Sequence, residues 1–101
     1  MIFVKIHSTP AGKILAMCDE ELIGKIFREG EAVIDLQKYK NFYIGEKKDE
    51  KEIKEILDDE ITSINAVGER SVNLLINNSL ATKKDVKRIN GIAMLQIFFI
   101  K

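Results

Sequence analysis

The chain has 101 residues, 46% apolar and 32% charged, enough to fill one core and solvate its surface, so a single domain is expected. Its 16 basic and 16 acidic side chains cancel, which excludes a global electrostatic pull toward nucleic acid or an anionic membrane. No apolar run approaches the roughly 18 residues that span a bilayer, and the lone Cys18 cannot close an internal disulfide, so a reducing cytoplasmic setting without a membrane is expected.

At the N-terminus, Ile2, Val4 and Ile6 alternate with Phe3, Lys5 and His7, the period of a strand and not of a signal peptide. Thr9-Pro10-Ala11-Gly12 is turn chemistry, because Pro10 presets φ and Gly12 permits positive φ. Alternation resumes over 13–18, with Ile14, Ala16 and Cys18 on one side, and the two segments should pair as an antiparallel hairpin. Asp19 then reads as the N-cap of a helix, followed by Glu20 and Glu21 at the positive end of its dipole. Leu22, Ile23, Ile26 and Phe27 would give that helix one apolar face, and Gly30 a left-handed stop. Ala32–Leu36 returns to strand character, and Tyr39, Phe42 and Tyr43 suggest a short edge strand ending at Gly45.

Residues 46–60 hold eight acids and four lysines around Ile53, Ile56 and Leu57, the spacing of a surface helix with one apolar face. Ile61–Val67 is a strand by composition. Gly68 opens a further helix with Val72, Leu75 and Ile76 inward and Asn77-Asn78 at its end. The last segment is a hairpin: Val86–Ile89 and Ile92–Ile100 flank Asn90-Gly91, the pair favoured by a type I′ turn. Ile92, Met94, Phe98 and Ile100 fall on one face of the final strand and Ala93, Leu95, Ile97 and Phe99 on the other. Such a strand is expected to be covered on both sides, or partly covered by another subunit. The expected fold is α+β, a mainly antiparallel sheet of about five to six strands with about three helices packed on it.

VKIH (4–7), CDEELIGKIFREGE (18–31), VGERSV (67–72) and NGIAMLQI (90–97) together resemble the archaeal domain of unknown function family 424, over nearly the whole chain. The resemblance implies an archaeal cytoplasmic protein with a link to translation, and no reaction. The family pattern has a Pro-His pair where this chain carries Ala93-Met94, so any role of that histidine is missing here; Gln96 matches.

Catalytic chemistry is sparse. One His and one Cys cannot build a zinc or iron site, and Asp58-Asp59-Glu60 lacks the glycine and alternating oxygens of a calcium loop; no cofactor is expected. Cys18 precedes three acids, which raise a thiol pKa, and reads as a small buried hydrophobe. His7 reads as a half-exposed strand residue, with acid–base work or ligand contact as the alternative. Gly68-Glu69-Arg70-Ser71 opens a helix whose amides could hold an anion, attracted by Arg70 and repelled by Glu69.

The best partner site is the basic segment Lys83, Lys84, Lys87 and Arg88. Residues 83–101 carry five positive charges and one negative, a separation hidden by the neutral total. The leading expectation is a non-catalytic interaction module whose partner is RNA, a ribonucleoprotein or another protein. The rival is a small enzyme or anion-binding protein using His7, or Gly68 and Arg70. A deep pocket at His7 or Arg70 would favour the rival, and a flat basic face would favour binding. Nothing in the sequence sets the oligomeric state.

The Asn-Gly reading yields a direct test. Gly91→Val places a β-branched residue where φ must be positive and should cost at least about 1 kcal/mol in a denaturant melt; an unchanged melt would remove the turn.

Overall fold

The computed structural model describes residues 1–58 and 60–99; Asp59 of the acid run and Ile100 of the last strand lie outside the described residues, as does Lys101. The first alternating segments form β1 (Ile2–Thr9) and β2 (Gly12–Asp19), paired antiparallel from Ile2 opposite Asp19 to Thr9 opposite Gly12. Thr9 holds the turn, its Oγ1 donating to the Gly12 carbonyl at 2.7 Å and accepting from the Ala11 amide at 3.2 Å. At the other end, β7 (Lys87–Ile89) and β8 (Ile92–Phe98) pair across Asn90 and Gly91, whose φ values of 50° and 78° match the positive φ that the type I′ pair was expected to supply.

Between the two hairpins lies a β6 strand (Ile61–Val67) that runs parallel to β2 and antiparallel to β8. With a β5 strand (Glu46–Lys48) on the edge of β1, the order in this six-stranded sheet is β5-β1-β2-β6-β8-β7. The final strand therefore lies inside the sheet. Every pairing but β2–β6 is antiparallel among the described residues, so the α+β expectation holds. The parallel pair needs a long crossover, and residues 20–60 supply it.

That crossover is where expectation and structure part. The helix expected from Asp19 to Gly30 does not form. Glu20–Leu22 makes a single 3₁₀ turn, Ile26–Glu29 is a strand (β3), and Ala32–Asp35 (β4) pairs with it as a separate hairpin. Gly30 does take a left-handed φ of 61°, but as the turn of that hairpin. Two causes act together. Gly24, at φ 86°, sits mid-segment where glycine costs a helix about 1 kcal/mol. The hairpin, by contrast, buries Ile34 and Leu36 with Leu22, Ile23 and Phe27 against Cys18 and Val67. The edge strand expected at Tyr39–Gly45 is instead one helical turn, α1 (Lys40–Tyr43), with β5 starting beyond Gly45. Asp35 bends the chain into that turn by accepting the Gln37 and Lys38 amides at 3.1 and 2.8 Å.

The helices on the opposite face form where the sequence places them. The α2 helix (Glu50–Ile56) starts with a reciprocal cap, Asp49 accepting from the Glu52 amide and Glu52 from the Asp49 amide. The α3 helix (Glu69–Asn77) buries Val72 and Leu75. Ile53, Val72 and Leu75 pack with Ile2, Val4, Leu15, Met17, Ile64 and Leu95 into the main core.

Asp19 is not the N-cap of a following helix; its side chain instead meets the first-turn amides of α3, whose own N-cap residue is Gly68. Asp19 is 3% exposed, and its two oxygens accept from the Arg70 amide at 3.0 Å, the Ser71 amide at 2.9 Å and the Ser71 hydroxyl at 2.8 Å. Gly68, at φ 108°, brings the backbone so close that any side chain there would overlap the carboxylate. Asp19→Ala should therefore cost about 2–4 kcal/mol in a urea melt, because it leaves buried donors unpaired. Ser71→Ala, which removes one bond of the three, should cost about 1 kcal/mol. Equal, small effects would show that the cap contributes little.

Candidate functional site

The two faces of the main sheet are covered unequally. The register places Phe3, Lys5 and His7 of β1, Ile14, Ala16 and Cys18 of β2, Ser63, Asn65 and Val67 of β6, and Met94, Gln96 and Phe98 of β8 on one face. The β3–β4 hairpin covers the end with Cys18, Val67 and Met94, and α1 lies over β1, with Phe42 stacked on His7, which leaves the rest of the β6 and β8 side uncovered. Beyond them the face opens, and Phe98 is left 73% exposed.

At the boundary lies a groove of about 380 Å³. Its floor carries Asn65, Gln96 and Met94, and its wall Asp35, Tyr39 and Tyr43. The Gln96 amide donates to Asn65 Oδ1 at 2.8 Å, which leaves the Asn65 amide as donor and Gln96 Oε1 as acceptor. Tyr39 stands on the rim, 54% exposed, with Lys38 Nζ 5.3 Å from its ring centroid. Phe42 lies between Tyr43, edge-on at 5.0 Å, and His7, stacked at 4.5 Å.

The four basic residues chosen from sequence do not share one face. Lys87 pairs with Met94 and borders a shallow recess with Gln96 and Phe98, on the open side. Arg88, the next residue on the strand, pairs with Ala93 and points to the α3 side, where it forms an ion pair with Glu69 and donates to the Gly91 carbonyl at 3.3 Å. Lys83 borders that same side with Val72, Asn73 and Val86. Lys84 is exposed on the 3₁₀ turn Lys83–Asp85.

His7 is half-buried, its Nε2 2.8 Å from the Phe42 carbonyl, so one ring nitrogen is engaged by backbone and one ring face by Phe42. The helix start at Gly68 does hold an anion, but it is the chain's own Asp19, and Arg70 forms an ion pair with Glu21 at 3.0 Å. Cys18 is fully buried as expected, and burial first, then Asp19 and Glu21, push its thiol up to about 12. Among the described residues no three His, Cys, Asp or Glu side chains cluster to hold a metal ion, and no helix is long and apolar enough to cross a membrane.

Sequence reasoning named the aromatic trio 39, 42 and 43 but missed Asp35, Asn65 and Gln96. The signal was available for two of them: a strand period of two puts Asn65 beside Val67 and Gln96 beside Met94 on one face, as polar residues within apolar strands.

The family described as Protein of unknown function (DUF424) matches residues 6–100. The crystal structure of an uncharacterized conserved protein from Methanopyrus kandleri is similar at 27% identity and a TM-score of 0.79, over 96% of this chain and 90% of that one. No curated protein matches. Met94, where the family resemblance leads one to expect histidine, stands on the floor of the groove.

The buried thiol gives a pH prediction. In the unfolded chain Cys18 ionises from its ordinary 9.0, whereas the native state holds the proton to about 12. The unfolded state thus binds fewer protons in that window, and stability falls as pH rises through it. Tyr43, also pushed up to about 12 from 10.0 by burial, adds to the fall in the upper part. Urea midpoints measured across this range should drop more shallowly for Cys18→Ala than for wild type; parallel slopes would contradict a buried, proton-holding thiol.

Proposed function

We propose a function for this chain, which belongs to the DUF424 family of proteins of unknown function, from its own surface: it is a non-catalytic module that holds single-stranded RNA on the open half of its sheet. The observation that carries this reading is the uncovered face itself. A sheet face left open beside exposed Phe98 and Tyr39, with an Asn65–Gln96 amide pair between them, offers ring surfaces for bases and hydrogen-bonding groups for their edges. Lys87 and Lys38 stand beside it to meet phosphate.

The reading keeps the interaction module expected from sequence and moves its surface. Of the basic segment, Lys87 faces the platform, while Arg88 is engaged by Glu69 on the other side of the sheet. The rival catalytic reading loses support, because the His7 ring is occupied by Phe42 and the Gly68 helix start by Asp19. The likeness to the Methanopyrus kandleri protein supports an archaeal setting, and the cytoplasmic translation machinery is the RNA-rich environment we assign.

Fluorescence anisotropy with labelled single-stranded RNA at two salt concentrations tests the proposal. Log affinity should fall with log salt by about 0.7 per phosphate contact. Phe98→Ala should weaken binding by about 1–3 kcal/mol, the worth of one stacked base, and Lys87→Glu should weaken it far more than Lys83→Glu. Absence of binding at low salt, or an equal loss in both lysine variants, would overturn the reading.

A further inference from the structure

We propose that the groove beneath the β3–β4 hairpin is a pocket for one unstacked nucleobase, with guanine preferred over uracil. The inference rests on the RNA reading above and adds to it a defined place and a chemical preference. Three observations carry it.

The first is shape. The groove holds about 380 Å³, within the range of small-ligand sites, and it runs between the sheet and the Tyr39 and Tyr43 side chains. With two tyrosine rings in its lining, the groove suits a flat heteroaromatic ring better than a branched aliphatic group.

The second is the hydrogen-bonding pattern. Asn65 and Gln96 are tied to each other by one bond, so they present a donor and an acceptor side by side. An apolar ligand would leave both unpaired on burial, at a cost. A base edge carries the same alternation and would satisfy them.

The third is charge. Asp35 spends Oδ1 on the Gln37 and Lys38 amides, and Oδ2 makes no hydrogen bond among the described residues. With Gln96 Oε1 this places two free acceptors in the groove lining. Guanine offers adjacent ring and amino N–H groups to them, whereas uracil offers a single N–H. Lys38, above the Tyr39 ring at the rim, is placed to meet the phosphate of the same nucleotide, which the Asp35 charge keeps away from the floor.

The chain supplies its own reporter. It has two tyrosines and no tryptophan, and both tyrosines line this groove, so intrinsic fluorescence reads the site alone. The experiment is a titration of the full chain with GMP, UMP and ribose 5-phosphate, corrected for absorbance, beside the labelled-RNA titration. The result expected is saturable quenching by GMP, weaker quenching by UMP, and none by ribose 5-phosphate. Gln96→Ala should weaken GMP by about tenfold. Asp35→Asn, which keeps an oxygen for the turn amides, should narrow the gap between GMP and UMP.

Quenching by ribose 5-phosphate equal to that by GMP would replace the base pocket with a phosphate site. UMP binding as well as GMP would overturn the preference assigned to Asp35 and Gln96. No quenching by any nucleotide, with RNA still bound and that binding unchanged in Gln96→Ala, would overturn the pocket and leave the RNA platform standing. Loss of RNA binding together with nucleotide silence would overturn both. A wild-type melting curve for each variant ensures that the fold is not what has changed.

Discussion

One buried carboxylate organises this molecule. Asp19 ends β2 at the point where the chain must leave the sheet, and 51 residues later the backbone returns at Arg70 to use that same side chain as a helix cap. Three donors converge on it, and a buried carboxylate is tolerated only when its lone pairs are met this well. The cap also fixes the start of α3 above the end of β6, where Gly68 donates to the Ala93 carbonyl of β8 at 2.8 Å. Hairpin, parallel strand, helix and closing strand are thus joined at one place. The positive end of a helix dipole, which could hold a ligand, is here spent on architecture.

From that junction the coverage of the sheet follows. With α3 and α2 held on one face, the other is left to the first part of the crossover between β2 and β6, a short hairpin and a single helical turn, before β5 and α2 complete it. The hairpin and the turn are too small to cover the whole face. The remainder is left to solvent, with Phe98 exposed beside the Asn65–Gln96 pair. It is this uncovered side of the sheet that the proposed RNA platform uses. The groove arises where cover and open face meet, and its polar residues come from strands whose other side is core.

Charge tells a similar story at smaller scale. The basic run near the C-terminus is one patch only on paper. Alternation along β7 sends Lys87 to the open face and Arg88 to the helix face, where Glu69 neutralises it; the pairing lowers the Glu69 pKa and raises that of Arg88. Exposed pairs like this stabilise little, but this one removes a cation from the set available to a partner.

What the sequence determined by itself was everything governed by near neighbours. Period-two alternation placed β1 and β2, and apolar composition placed β6 and β8. Asn90-Gly91 set the last turn through its tolerance of positive φ, and the charged surround of Ile53 marked α2. Even the division of Lys87 from Arg88 was implicit in reading 86–89 as a strand. The tertiary structure decided what long-range packing governs. The run from Asp19 to Gly30 has helical spacing, yet burial of Leu22, Ile23 and Phe27 over Cys18 and Val67 outweighs a propensity already weakened by Gly24. Asp19 has the chemistry of a cap wherever it stands; only the fold could say whose amides it meets. The groove, too, joins residues from 35 to 96, and no local rule brings those together, because their meeting depends on a crossover whose path is set by the core it covers.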